Sequence, residues 1–322
     1  MESGVKTGAA GSWRDAFMAS PGPRSAGAHL LLTLKGACMG AADTIPGVSG
    51  GTVALITGIY EQLLAAIRSV DATMLARLFR LDFRGALAHV HFRFLLFLFA
   101  GVATAVFSLA RIMSHLLAFY PVPTWSLFFG LIFASLWSVG KKVDHWRLPA
   151  GMMFLGGAGV AYALVGLVPA ATPETALFVF FSGMLAICAM ILPGISGAFI
   201  LVLLGKYEFI VATLKEPFLL ENIMVIAVFA AGCAAGLAGF SRILKYLLER
   251  YSSATMAFLT GLMLGSLRRI WPWKEGEMQR NMLPDPGFEL VLPIGLMLAG
   301  AAVVLCLEWI SSARQDEPNH RM

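Results

Sequence analysis

Gly40-Ala41-Ala42-Asp43-Thr44-Ile45-Pro46-Gly47-Val48-Ser49-Gly50-Gly51-Thr52 lies in the middle of an apolar run over residues 29–67. As one straight helix that run is about 58 Å long at ~1.5 Å per residue, against a hydrocarbon core of ~30 Å. It has to fold back. Pro46 lacks an N–H, and Gly47, Gly50 and Gly51 admit backbone angles that other residues resist. The reading is a helical hairpin over 29–67 with its tip at residues 45–51, so that both arms open to the same side of a membrane.

The same pattern returns later in the chain. Gly36 to Ile67 matches Gly183 to Leu214 at an offset of 147, pairing Pro46 with Pro193, Gly47 with Gly194, Ser49 with Ser196, Gly50 with Gly197, Tyr60 with Tyr207 and Glu61 with Glu208. The next two spans match at an offset of 131, with Gly101/Gly232, Arg111/Arg242, Tyr120/Tyr251 and Gly130/Gly261. The last span matches at 144, with Leu148/Leu292, Pro149/Pro293 and Gly151/Gly295. Collinear matches of this kind identify an internal repeat. The expected division is a disordered cytoplasmic tail over 1–28, without a cleavable signal; repeat one over 29–168, with hairpin 29–67 and spans 94–119, 123–140 and 148–168; repeat two over 176–310, with hairpin 176–214 and spans 222–248, 252–270 and 289–310; and a polar tail over 311–322. A hairpin plus three spans returns the chain to the opposite face. The second repeat is therefore expected in inverted topology, and the fold class is an all-α integral membrane protein of two inverted repeats.

Composition and charge agree. Of the 322 residues, 58% are hydrophobic and 13% charged, whereas soluble domains average ~25% charged. The bilayer is the expected partner and nucleic acid is not. Cys38, Cys188, Cys233 and Cys306 sit in apolar runs without a CxxC partner, so neither a disulfide nor a metal site is expected. The 68–93 loop carries Arg68, Arg77, Arg80, Arg84 and Arg93, and the 141–147 loop carries Lys141, Lys142 and Arg147. The positive-inside tendency places both in the cytoplasm, with both termini. Arg268 and Arg269 then fall near the outer face, against the tendency.

Two broken helices at membrane depth are tolerated only where they are buried or line a cavity. A half-helix that starts after Ser49 or Ser196 presents free N–H groups and a positive dipole end, which suits an anion and above all a phosphate. The candidate substrate-binding residues are Gly47, Ser49, Gly50, Gly51 and Thr52 at the first tip, Gly194, Ser196 and Gly197 at the second, and Arg111 and Arg242, whose guanidinium groups suit bidentate phosphate contact. Snorkelling of both arginines to the headgroups is the structural alternative. Glu61 and Glu208 are candidates for balancing those charges or for marking interfacial ends. Asp43 has no acidic twin. It is a candidate site for a coupling H⁺ or Na⁺, and otherwise a local cap or a partner of Lys35. No catalytic residue, metal or other cofactor is expected.

The first signature, through Gly58-Ile59-Tyr60-Glu61, resembles that of the polyprenyl-phosphate transporter family. Ala189 to Phe199, with Gly205-Lys206-Tyr207-Glu208, is similar to the family's second signature. Tyr120-Pro121, Thr124 and Phe129-Gly130-Leu131-Ile132 also fit, and the resemblance spans about residues 30–310. It implies a bacterial inner-membrane flippase that returns undecaprenyl phosphate to the cytoplasmic leaflet for reuse in cell-envelope synthesis. Ala198 departs from the pattern where the first tip has Gly51. Two other readings stay open: a membrane-embedded polyprenyl-pyrophosphate phosphatase and a transporter of a small soluble anion. The phosphatase tip resembles Pro-Gly-x-Ser-Arg-Ser, whereas Gly50-Gly51 and Gly197-Ala198 follow the serines here.

Overall fold

The computed structural model describes residues 12–43, 49–167, 172–275, 280–284 and 286–315; the side chains of Ala110, Arg111, Ser114, Leu307 and residues 310–315 lie outside that description. The first half contains α1 (Trp13–Ala19), α2 (Ala26–Asp43), α3 (Gly50–Ile56), α4 (Tyr60–Arg68), α5 (Ala72–Phe79), α6 (Phe83–His89), α7 (Phe92–Phe119), α8 (Pro121–Gly140) and α9 (Leu148–Val165). The second contains α10 (Ala176–Ile191), α11 (Gly197–Leu203), α12 (Tyr207–Lys215), α13 (Leu220–Arg250), α14 (Ser252–Ser266) and α15 (Val291–Gln315), with a two-stranded ribbon of β1 (Lys274–Glu275) and β2 (Arg280–Asn281) before α15. Among the described residues, five helices are long and apolar enough to cross a bilayer, and two further bent pairs, α3–α4 and α11–α12, turn by 118° and 111°. The polarity is that of a membrane protein: hydroxyls of Ser126, Ser241 and Thr260 are buried, while Phe107 is 84% and Leu298 66% exposed.

Glycines set how closely the helices approach. A Cβ on Gly36 would overlap the Leu98 carbonyl, and one on Gly101 the Thr33 carbonyl, so α2 and α7 run side by side. Gly183 meets the Phe229 carbonyl and Gly232 the Phe180 carbonyl in the same way, joining α10 to α13. These contacts are counterparts at offsets of 147 and 131. The remaining helices pair across the halves. Gly130 of α8 meets Met297 of α15, and Gly261 of α14 meets Phe154 of α9; Gly300 meets Leu127, and Gly157 meets Phe258. Within each pair the helices are parallel. His145, which follows α8, bonds Ser253 at the start of α14, so α8 and α14 run in opposite directions. The contacts of the last span follow an offset of 143, one less than the 144 suggested by its Leu-Pro-x-Gly start. One residue is about 100° of helix rotation, and the packed glycines follow the contact register.

Three features differ from expectation. The tail over 1–28 contains α1, which opens with a capping box between Ser12 and Asp15. The segment after it is held by Ser20, which donates to the Val90 carbonyl at 2.7 Å, and by Arg93, which donates to the Gly22 carbonyl at 3.0 Å. The 68–93 loop folds into α5 and α6, capped by Asp71 and Asp82. The second arm of each hairpin breaks again, at Gly58 (φ +72°) and Gly205 (φ +62°), a left-handed conformation that glycine adopts without a Cβ clash. At the far end, α15 continues to Gln315 instead of ending at 310.

Candidate functional site

α10 ends at Ile191 because Pro193 cannot continue it, which leaves the last carbonyls of the helix without intrahelical donors. In a bilayer such groups need partners inside the protein. The first hairpin supplies them. The Tyr60 phenol donates to the Ile191 carbonyl at 3.0 Å and the Ser49 hydroxyl to the Leu192 carbonyl at 3.1 Å. In return, the Gly194 amide donates to the Thr52 hydroxyl at 2.9 Å. Ser49, Thr52 and Tyr60 are each no more than 2% exposed. A Cβ on Gly51 would stand 2.7 Å from the Ile191 carbonyl, so the glycine is what allows the approach. The two tips therefore meet. Gly194 turns with φ +86°, and a Cβ there would come within 3.0 Å of the Ser266 hydroxyl on α14.

The half-helix starts are unequal. At α3 the Ser49 hydroxyl accepts from the Gly51 amide at 3.2 Å, and the Asp43 carboxylate accepts from the Gly50 amide at 2.8 Å. Asp43 thus caps the half-helix across the tip, on the side where an anion is favoured. At α11, Ser196 makes no such cap. Gly197 is buried against the Ala186 carbonyl. Gly47 lies outside the described residues.

The other candidates lie on the helices around the tips. Arg242 is exposed on α13 and donates to the Ala238 carbonyl of its own helix at 2.6 Å, while Ser241 and Leu244 beside it are buried. Arg111 belongs to α7, and its side chain lies outside the description. Glu208 is exposed on α12. Glu61 edges a cavity of about 250 Å³ with Tyr60, Gln62, Lys142 and Ser252, within electrostatic reach of Lys142. Lys35, read from the sequence only as a possible partner of Asp43, and Lys142, read only as part of a basic loop, converge on the end of α3. Lys35 donates to the Thr57 carbonyl at 2.6 Å and Lys142 to the Leu55 carbonyl at 2.9 Å, a placement that suits the negative end of a helix. A lysine set deep in an apolar run was the available signal for Lys35.

The family model described as undecaprenyl phosphate translocase-like matches residues 39–283. The chain belongs to this family. The matched stretch contains both tips and Lys142 of this translocase-like protein, and Lys35 lies four residues before it. Among its curated relatives, a polyprenyl-phosphate transporter of Vibrio cholerae serotype O1 is 43% identical over 300 residues, covering 87% of this chain and 96% of the relative. A polyprenyl-phosphate transporter of Staphylococcus aureus is 30% identical over 253 residues, covering 74% of this chain and 85% of the relative. No solved structure matches the chain.

Proposed function

We propose that this chain is a flippase for polyprenyl phosphate in the bacterial cytoplasmic membrane, and that the headgroup crosses where the two hairpin tips meet. The observation that carries the reading is identity to a polyprenyl-phosphate transporter along nearly its whole length, in a fold whose tips bond to each other through Ser49, Thr52 and Gly194. A phosphate alone in hydrocarbon faces a Born cost on the order of 20 kcal/mol. Hydroxyls, backbone amides and half-helix dipoles at the tips replace its water, and the uncapped start of α11 is the freer of the two. The isoprenoid tail stays in lipid.

The opposite directions of α8 and α14, with the matched glycine contacts, support two inverted repeats that rock about the tips. We assign the end bearing Lys141 and Lys142 to the cytoplasm, with both termini. Asp43 is the proposed H⁺ or Na⁺ coupling group, since its carboxylate holds the start of α3. Arg111 and Arg242 are proposed headgroup contacts along the approach from lipid.

Leaflet exchange of a labelled polyprenyl phosphate in proteoliposomes tests the reading. Wild type is expected to accelerate exchange, and Ser196→Ala, Arg111→Ala and Arg242→Ala to slow it without unfolding the protein. Absence of exchange by wild type overturns the reading. Release of inorganic phosphate from a polyprenyl pyrophosphate favours the phosphatase reading, and equal competition by free phosphate favours a small-anion transporter.

A further inference from the structure

The end of the bundle opposite Lys142 carries cations that the tips do not account for. Lys274 Nζ lies 4.8 Å from the centre of the Trp125 ring, near the start of α8, whereas Lys142 follows the last residue of that helix. Along α8, Trp125 and Gly140 are about 22 Å apart at ~1.5 Å per residue. On the positive-inside tendency, basic residues at the Lys274 end are misplaced.

Three basic side chains gather there. Arg268 lies 4.2 Å from the centre of the Tyr162 ring and donates to the Tyr162 carbonyl at 3.1 Å. Arg269 lies 5.3 Å from the centre of the Phe199 ring. Lys274 donates to the Arg269 carbonyl at 2.6 Å. Each rests on an aromatic face, and none makes an ion pair among the described residues. Arg269 and Lys274 are both half-buried. Burial first, and then the charge of Arg269, push the Lys274 ammonium down to about 8. Like charges held together and partly dried are unfavourable when alone and favourable to a doubly charged anion between them. Edge-on contacts of Trp271 with Phe129 at 5.4 Å and with Trp273 at 5.5 Å give the cluster an interfacial wall.

The cluster also leads to the second tip. Phe199 sits in the first turn of α11, two residues after Gly197. Ser266, the last residue of α14, touches the space beside Gly194, and Arg269 follows one turn later.

We infer that Arg269 and Lys274 form a docking station for a phosphomonoester headgroup, which receives the lipid at this end of the membrane and passes it to the tip at Gly194–Gly197. The inference rests on the transport reading above and adds to it the point of capture. A guanidinium and an ammonium supply donors to two or three phosphate oxygens. The aromatic rings hold the cations in place while the site is empty.

The test uses the full chain in lipid nanodiscs, titrated with a short-chain polyprenyl phosphate and, in a separate arm, with inorganic phosphate. Fluorescence of Trp125, Trp271 and Trp273 reports binding, and proteoliposome exchange is measured in parallel. Arg269→Gln and Lys274→Gln are each expected to weaken lipid binding at least ~10-fold, the loss of one charge-assisted contact. Lys274→Arg keeps the charge and is expected to stay within about threefold of wild type. Inorganic phosphate is expected to compete weakly, because it lacks the tail. If wild type exchanges the lipid and both glutamine variants bind like wild type, the cations are interfacial anchors and the station is overturned while transport stands. If inorganic phosphate displaces the lipid at equal concentration, the site takes the free anion and the lipid assignment is overturned. If wild type neither binds nor exchanges the lipid, the transport reading falls and this inference with it. Lys274 lies in the ribbon, outside the packed helices, so its variants decide the matter even where Arg269→Gln fails to assemble.

Discussion

The phenol of Tyr60 reaches across the bundle to the Ile191 carbonyl at 3.0 Å. Its counterpart Tyr207 stands 42% exposed. The hairpins share one plan, yet among the described residues the tyrosine latch is made by the first alone. The proposed rocking mechanism expects such an asymmetry, because a state that closes one end leaves the other end looser. The latch also holds the start of α4, which follows the turn at Gly58 beside the cavity of Glu61 and Lys142.

Tyr60→Phe keeps the ring and removes the bond, leaving Ile191 with a bare carbonyl. A loss of about 1 kcal/mol in stability is expected, together with faster opening of α4. In a background without the four native cysteines, Gln62→Cys should react several-fold faster with an impermeant maleimide once Tyr60 is changed. Equal labelling rates in the two backgrounds would remove the latch.

Thr52→Val leaves the buried Gly194 amide without its acceptor. Orphaning such a donor costs about 1–3 kcal/mol. The thermal midpoint in detergent should fall, and leaflet exchange should slow because the second tip loses its fixed position. Thr52→Ser restores the oxygen and should recover most of both. Failure of serine to rescue would assign the effect to packing.

The matched glycine contacts make a paired prediction. Gly130→Ala drives a Cβ into the Met297 carbonyl, and Gly261→Ala does the same at Phe154. Both should destabilise by about 1–3 kcal/mol, the range for overpacking. Gly159 has nothing within 4 Å of an added Cβ, so Gly159→Ala should be neutral or stabilising by up to ~1 kcal/mol. Thermal unfolding of the three variants distinguishes helix contact from simple helix propensity.

Asp43→Asn keeps an oxygen near the Gly50 amide and removes the charge. The hairpin should remain folded, with stability within about 1 kcal/mol of wild type. The dependence of leaflet exchange on pH or on Na⁺ should change. An identical dependence in wild type and variant would take Asp43 out of the coupling.

The hairpins were legible because a run of residues 29–67 cannot span once, and because Pro46-Gly47 and Pro193-Gly194 sit at matching places. The repeat offsets carried over into contacts such as Gly36 on Leu98 and Gly183 on Phe229, since close approach needs glycine on both sides of the duplication. The breaks at Gly58 and Gly205 were less visible. Both lie inside apolar runs that read as continuous arms, and the positive φ reveals the turn. Arg242 shows another limit. Position along a helix sets depth, whereas azimuth is set by neighbours; buried Ser241 and Leu244 turn Arg242 outward. α1 carried a local signal in Ser12 and Asp15, outweighed by the polar composition around it.

Lys274 gives the pH prediction. It faces Arg269 from the turn after α14 and the Trp125 ring from α8; among the described residues of its own ribbon the charged neighbours are Glu275 and Arg280, and Asn281 pairs with it across the strands. Its ammonium sits at about 8, below the ~10.4 of an unfolded chain. The folded state therefore opposes the charge: the penalty is fully present below about pH 8 and is relieved as pH rises from 8 toward 10. A bound phosphate headgroup favours the charged form and works in the other direction. At pH 9, binding should draw about one proton from solvent onto Lys274, and at pH 7 almost none, because the lysine is already charged. Titration calorimetry in buffers of different ionisation enthalpy measures this uptake. Lys274→Arg cannot titrate in that range and should show no uptake at pH 9, so equal uptake by wild type and Lys274→Arg would place the proton elsewhere and detach Lys274 from the headgroup.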